Sequence, residues 1–141
     1  MLSSNKGIHI INRSISLDYL TKKDLEAIKI ARRFKINYFA LSFTNSSNDI
    51  KKFSLLLRKE KKIYKIETKE AIKNISKIIK SGEEFLIDRG DLSKETKVEN
   101  IPIIQRKIFR TVRKFKNKKI YVATNLLESM ISNKYPTRGE A

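Results

Sequence analysis

The chain has 141 residues, with 32 Lys+Arg against 15 Asp+Glu and a formal charge of +17. With 40% hydrophobic residues, disorder along the whole length is not expected. The absence of cysteine removes disulfides, zinc–thiolate sites and cysteine nucleophiles, and a single histidine, His9, removes histidine-rich metal sites. No apolar run reaches the roughly 18 residues of a membrane span, and the N-terminus has no hydrophobic signal core, so a cytoplasmic location is expected.

A charge of this size points first to nucleic acid. The basic residues are 23 Lys and only 9 Arg, beside 21 Ile, 3 Val and 10 Asn. Lys, Ile and Asn share A/T-rich codons, so compositional drift raises all three together. Nucleic-acid sites lean on the bidentate arginine instead, and drift is the better account of the charge.

In chain order, residues 22–35 carry Leu25, Ile28, Ala31 and Phe34 on one helical stripe, capped by Thr21 with Asp24. Residues 38–43 form a short apolar strand of the kind buried on both faces. Ser46 with Asp49 caps a helix over 47–60, with Ile50, Phe53, Leu56 and Leu57 as its stripe. A strand over 62–67 and a helix over 69–80 follow, the helix ending at Gly82 in a left-handed cap. Residues 84–88 are a strand and 89–100 a polar stretch. Pro102 opens a helix over 102–116, residues 119–123 are a strand, and 126–132 begin another helix. Strands alternating with long helices are the signature of parallel βαβ units. An open doubly wound sheet and a (β/α)8 barrel both fit. A barrel takes about 250 residues, so this chain would supply about half of one.

In such folds chemistry collects at the C-terminal ends of the strands. Those ends read Ser42-Phe43-Thr44, Lys65-Ile66-Glu67, Asp88-Arg89-Gly90-Asp91 and Thr124-Asn125. Lys65 and Glu67 share a strand face, while Tyr64 and Ile66 face helices. Glu67 and Asp91 could hold one hard divalent cation. Lys65 could stabilise a phosphoryl group, Gly90 could bring backbone N–H groups close to an anion, and Thr124 offers a hydroxyl. Each has a plainer reading. Lys and Glu two apart are commonplace in a chain that is one-third charged, Arg-Gly-Asp is often a turn, and Thr124 could cap a helix. The five tyrosines read as packing aromatics, not as a base-stacking platform. The recurrence of polar residues at four successive strand ends argues against chance.

These residues resemble the pyruvate kinase family, collinearly over nearly the whole chain. Lys6-Gly7-Ile8 is similar to the segment that re-enters the barrel after the lid domain, and Leu20-Thr21-Lys22-Lys23-Asp24 to the family's Leu-Thr-x-x-Asp. Phe39-Ala40-Leu41-Ser42-Phe43, Lys65-Ile66-Glu67 and Arg89-Gly90-Asp91-Leu92 match its serine strand, lysine–glutamate strand and Arg-Gly-Asp-Leu loop. Ala123-Thr124, Leu127-Glu128-Ser129-Met130 and Pro136-Thr137-Arg138 match its last long motif, which is highly specific.

The resemblance implies a partial TIM barrel over 1–141, with the lid domain, first strands and C-terminal domain outside it. It implies a glycolytic phosphotransferase acting on phosphoenolpyruvate and ADP to give pyruvate and ATP. Lys65 would stabilise the transferring phosphoryl group and Thr124 would assist protonation of the enolate carbon. Glu67 and Asp91 would ligate Mg²⁺ or Mn²⁺, the amides of Gly90 and Asp91 would hold the substrate carboxylate, and Ser42 would line the mouth. The family also uses K⁺ and assembles as a homotetramer. A half barrel would have little activity alone, and a complementing chain could restore it.

The sequence departs from the pattern in places. Asp88 replaces the small residue before Arg-Gly-Asp, a third acid that could bind the metal or repel the substrate carboxylate. Ser93 and Asn125 stand for an expected glycine and glutamine, Asn45 for an arginine, and His9 and Ile11 for an asparagine and a proline. The alternative from another class is a non-catalytic basic module on a degenerate barrel, which predicts salt-sensitive nucleic-acid binding.

Overall fold

A computed structural model describes residues 19–124 and 126–137. The segment around Lys6, His9 and Ile11, together with Asn125 and Arg138, lies outside the described residues. Four parallel strands, β1 (Tyr38–Leu41), β2 (Lys61–Ile66), β3 (Glu84–Asp88) and β4 (Lys119–Ala123), pair in sequence order into one sheet. Each strand aligns with the next through Tyr38–Lys61, Ile63–Glu84 and Glu84–Lys119, which brings all four C-terminal ends to one rim. The expected parallel α/β alternation is therefore present.

The helices between the strands are α2 (Ser47–Leu56), α3 (Lys69–Lys73), α4 (Ile75–Ser81), α5 (Arg89–Glu95) and α6 (Ile101–Val112), with α1 (Lys22–Arg33) ahead of β1. Packing of α2 on α4 and α4 on α6 covers one sheet face. The core forms there from Ile50, Phe53, Ile78, Ile79 and Ile108 on the helices and Leu41, Tyr64, Ile66, Phe85 and Ile87 on the strands. Strand alternation sends Lys65, Leu86, Asp88 and Tyr121 to the other face, which is partly open among the described residues. Tyr38 and Ala40 are exposed on that face, so β1 is buried on one side only, not on both. Of the five tyrosines, Tyr64 alone is buried in the core, while Tyr38, Tyr121 and Tyr135 are exposed.

Local chemistry sets the helix limits. Both expected capping boxes are present: Thr21 Oγ1 accepts the Asp24 amide at 3.2 Å, and Ser46 Oγ accepts the Asp49 amide at 3.2 Å. Helix α2 stops at Leu56 and does not reach residue 60. Arg32 donates to the Leu56 carbonyl at 2.8 Å and Lys62 to the Leu57 carbonyl at 2.6 Å, satisfying terminal acceptors. The helix expected over 69–80 breaks at Asn74, whose side-chain Nδ2 donates to the Asn45 carbonyl at 2.9 Å. Gly82 does follow the helix end, but in extended backbone (φ −115°) and not in a left-handed cap. Its role is steric, because a Cβ there would lie 2.8 Å from the Tyr64 ring and 2.9 Å from Phe85. The polar stretch after β3 holds a short helix, α5 (Arg89–Glu95), pinned by the buried Leu92. The region expected to start a helix after β4 forms a single 3₁₀ turn, Glu128–Ile131.

Candidate active site

At the end of β2 the shared face of Lys65 and Glu67 becomes a contact: Lys65 Nζ lies 2.5 Å from Glu67 Oε1. Glu67 is 1% exposed, and its Oε2 accepts the Phe43 amide at 2.6 Å. Oε1 is buried without a hydrogen bond and faces only the charge of the lysine. Phe43 presents its N–H from the turn after β1 in the left-handed region (φ 51°), so the first strand end helps to fix a carboxylate of the second.

Asp88 closes β3 and is the N-cap of α5, accepting the Asp91 amide at 3.4 Å. Its Oδ2 lies 3.2 Å from Lys65 Nζ, and its Oδ1 lies 3.3 Å from the hydroxyl of Thr124. One carboxylate thus joins the ends of β2, β3 and β4. Asp91, in the first turn of α5, is paired with Lys94 at 2.5 Å. Oxygens of Glu67, Asp88 and Asp91 lie within 4.8 Å of one another.

Thr124 is β-branched yet left-handed (φ 68°), a conformation that costs on the order of 1–3 kcal/mol. Neighbours hold it there. Arg89 donates through Nη2 at 2.5 Å and Nε at 3.1 Å to the Thr124 carbonyl, and the Gly90 amide donates to its Oγ1 at 2.8 Å. The Gly90 and Asp91 amides expected to face an anion are therefore engaged by Thr124 and Asp88 in this structure. Gly90 does not have positive φ; a Cβ at that position would meet Thr124 Oγ1 at 3.4 Å.

The charges stabilise one another. Burial works to lower the Lys65 ammonium, but Glu67 and then Asp88 outweigh it and raise it above the ordinary lysine value. Burial works to raise the Asp88 carboxyl, but Lys65, the Asp91 amide and Thr124 together hold it below the ordinary aspartate value.

Of the residues singled out in the sequence, Lys65, Glu67, Gly90, Asp91 and Thr124 come together on this rim. Ser42 is exposed after β1 and lines a cleft of about 680 Å³ with Tyr19, Asp24, Asn45 and Thr68. Lys65, Asp91 and Thr124 are not among the residues lining that cleft. The Phe43 amide, the Arg89 clamp and the Lys94 pair had no sequence signal, since each depends on a backbone turn or a long flexible side chain.

The donor set suits a hard divalent cation: carboxylate oxygens from two neighbouring strand ends, one of them a buried oxygen whose partner is the Lys65 ammonium. A lysine beside such a pair is placed to meet a phosphoryl group.

The barrel domain of pyruvate kinase, as a family, matches residues 1–141. The chain is 36% identical over 143 residues to a pyruvate kinase of Thermotoga maritima, and 40% identical over 147 residues to one of Buchnera aphidicola. It is 36% identical over 143 residues to one of Methanocaldococcus jannaschii. Each alignment covers 99% of this chain but only 30%, 30% and 32% of the respective relative. With the motifs in order, the parallel strands and the gathered rim residues, the chain belongs to the pyruvate kinase family through its barrel domain.

Proposed function

We propose that these residues carry the metal- and phosphoryl-handling side of a pyruvate kinase site, in which phosphoenolpyruvate and ADP give pyruvate and ATP. One observation carries the reading: Lys65, Glu67, Asp91 and Thr124 lie together on one rim, with Glu67 buried and its Oε1 met by the Lys65 ammonium. Glu67 and Asp91 would hold Mg²⁺ or Mn²⁺, and that ion, when bound, neutralises charge on the substrate oxygens.

In the transfer, an oxygen of the ADP β-phosphate attacks phosphorus, and the bond from phosphorus to the enolate oxygen breaks. Lys65 would sit against the phosphoryl oxygens as their charge redistributes. The released enolate takes a proton at carbon, and Thr124 would orient or relay it through Oγ1. The amides of Gly90 and Asp91 would receive the substrate carboxylate once Thr124 and Asp88 turn from them. Ser42 would line the approach. K⁺, a cytoplasmic location and a homotetramer go with the family reading, and among the described residues no helix is long and apolar enough to cross a membrane.

Since the chain spans about a third of its relatives' length, it is expected to form little pyruvate alone, and a complementing chain would supply the remaining groups. The test is to graft it in place of the matching segment of the Thermotoga maritima relative. Pyruvate formation with Mg²⁺ should survive in the graft and fall more than about 100-fold in Lys65→Met. A folded, active graft indifferent to Lys65→Met would overturn the assignment.

A further inference from the structure

Oε2 of Glu67 already accepts the Phe43 amide at 2.6 Å, which leaves Oε1 as the oxygen more readily offered to a cation. The remaining oxygen, Oε1, is covered by the Lys65 ammonium at 2.5 Å. A ligand role for Oε1 therefore requires Lys65 to leave it, yet Lys65 is itself half-buried, with 22% of its side chain exposed. Even a half-buried ammonium stripped of its counter-ion is destabilised. Asp88 Oδ2 reaches the same ammonium, at 3.2 Å.

We propose that Asp88 is a positioning residue that takes over the Lys65 ammonium and so frees Glu67 Oε1 for the divalent cation. This rests on the metal reading given above and adds a residue to it. In the present geometry Lys65 bridges the two acids, the shorter contact to Glu67 and the longer to Asp88. As the cation takes its place at Oε1, a small displacement of the ammonium toward Asp88 exchanges the pairing and leaves neither Glu67 nor Lys65 without a counter-charge. In the absence of substrate Asp88 is held in place for this, because its other oxygen lies within 3.4 Å of both the Thr124 hydroxyl and the Asp91 amide. It acts through Lys65 and is not itself assigned as a ligand.

The experiment is Mn²⁺ binding to the chain, followed by electron paramagnetic resonance without substrate. Asp88→Asn keeps the size and polar character of the side chain and removes its charge. It should weaken Mn²⁺ binding about ten-fold, with Asp88→Glu close to the unmutated chain. The same Asp88→Asn change made on a Lys65→Met background should cost little, because no ammonium remains to be held. Equal Mn²⁺ affinity in the unmutated chain and Asp88→Asn would overturn the proposal. So would a ten-fold loss that persists on the Lys65→Met background, since Asp88 would then be acting as a ligand. Glu67→Gln separates the two levels. If it abolishes binding while Asp88→Asn does nothing, the metal reading stands and this inference falls. If Glu67→Gln binds normally, or the unmutated chain shows no saturable binding, the metal reading falls and takes the inference with it.

Discussion

Lys65 Nζ sits 2.5 Å from Glu67 Oε1, with the carboxylate side chain fully buried and the lysine 22% exposed. A pair of this kind need not stabilise the fold relative to apolar residues, but breaking it from one side leaves a buried charge without a partner.

Lys65→Met should therefore destabilise the chain by about 2–3 kcal/mol, at or below the lower end of the range for broken buried pairs because the lysine is partly solvated. Glu67→Gln added to it should recover part of the loss. Urea unfolding of both single variants and the double variant gives the coupling. Additive losses in the double variant would show that the two side chains are not energetically linked.

Asp88 supplies a pH dependence. Its carboxyl is held below the ordinary aspartate value of 3.8, so it contributes stability that is present above that value. The contribution is lost as pH falls through the lower, folded-state value. Asp88→Asn should flatten this part of the acid limb, below about pH 4. Denaturant midpoints measured across that window check it, and parallel acid limbs in the two proteins would contradict it.

Much of the fold was legible because periodicity and caps are local. The isoleucine stripe of 72–79, the alternating KIYKIE strand and both capping boxes are written in residues a few positions apart. The helix break at Asn74 was not, since it depends on the Asn45 carbonyl, 29 residues away. Helix α5 was hidden because it buries one leucine and offers no stripe. At the site, strand alternation revealed that Lys65 and Glu67 share a face, and the strand-end rule gathered Asp91 and Thr124. The reach of Asp88 to both neighbouring strands was not legible, because it follows from sheet register and not from spacing. Left-handed Phe43 and Thr124 carry no glycine to announce them.

Gly82 tests the packing between β2 and the start of β3. A methyl group there would lie 2.8 Å from two Tyr64 ring carbons and 2.9 Å from the tip of Phe85, both core rings that cannot swing into solvent. Gly82→Ala should cost about 2 kcal/mol by overpacking. Thermal melts report it, and an unchanged midpoint would mean that the rings yield more easily than their burial suggests.

Lys35 offers a stabilising change. After α1 the Lys35 amide donates to the Arg32 carbonyl at 3.0 Å and the Ile36 amide to the Ala31 carbonyl at 3.0 Å, the two bonds of a Schellman motif. Glycine is the usual residue at the left-handed position of that motif, yet here it is Lys35, with φ 59°. A side chain with a Cβ is disfavoured there by roughly 1–2 kcal/mol, while glycine's greater freedom in the unfolded chain offsets part of the gain. Lys35→Gly should accordingly raise stability by about 0.5–1 kcal/mol, and Lys35→Val, β-branched, should lower it. The two midpoints should fall on opposite sides of the unmutated chain. If both fall below it, the left-handed turn after α1 is not what limits the stability of this end of the sheet.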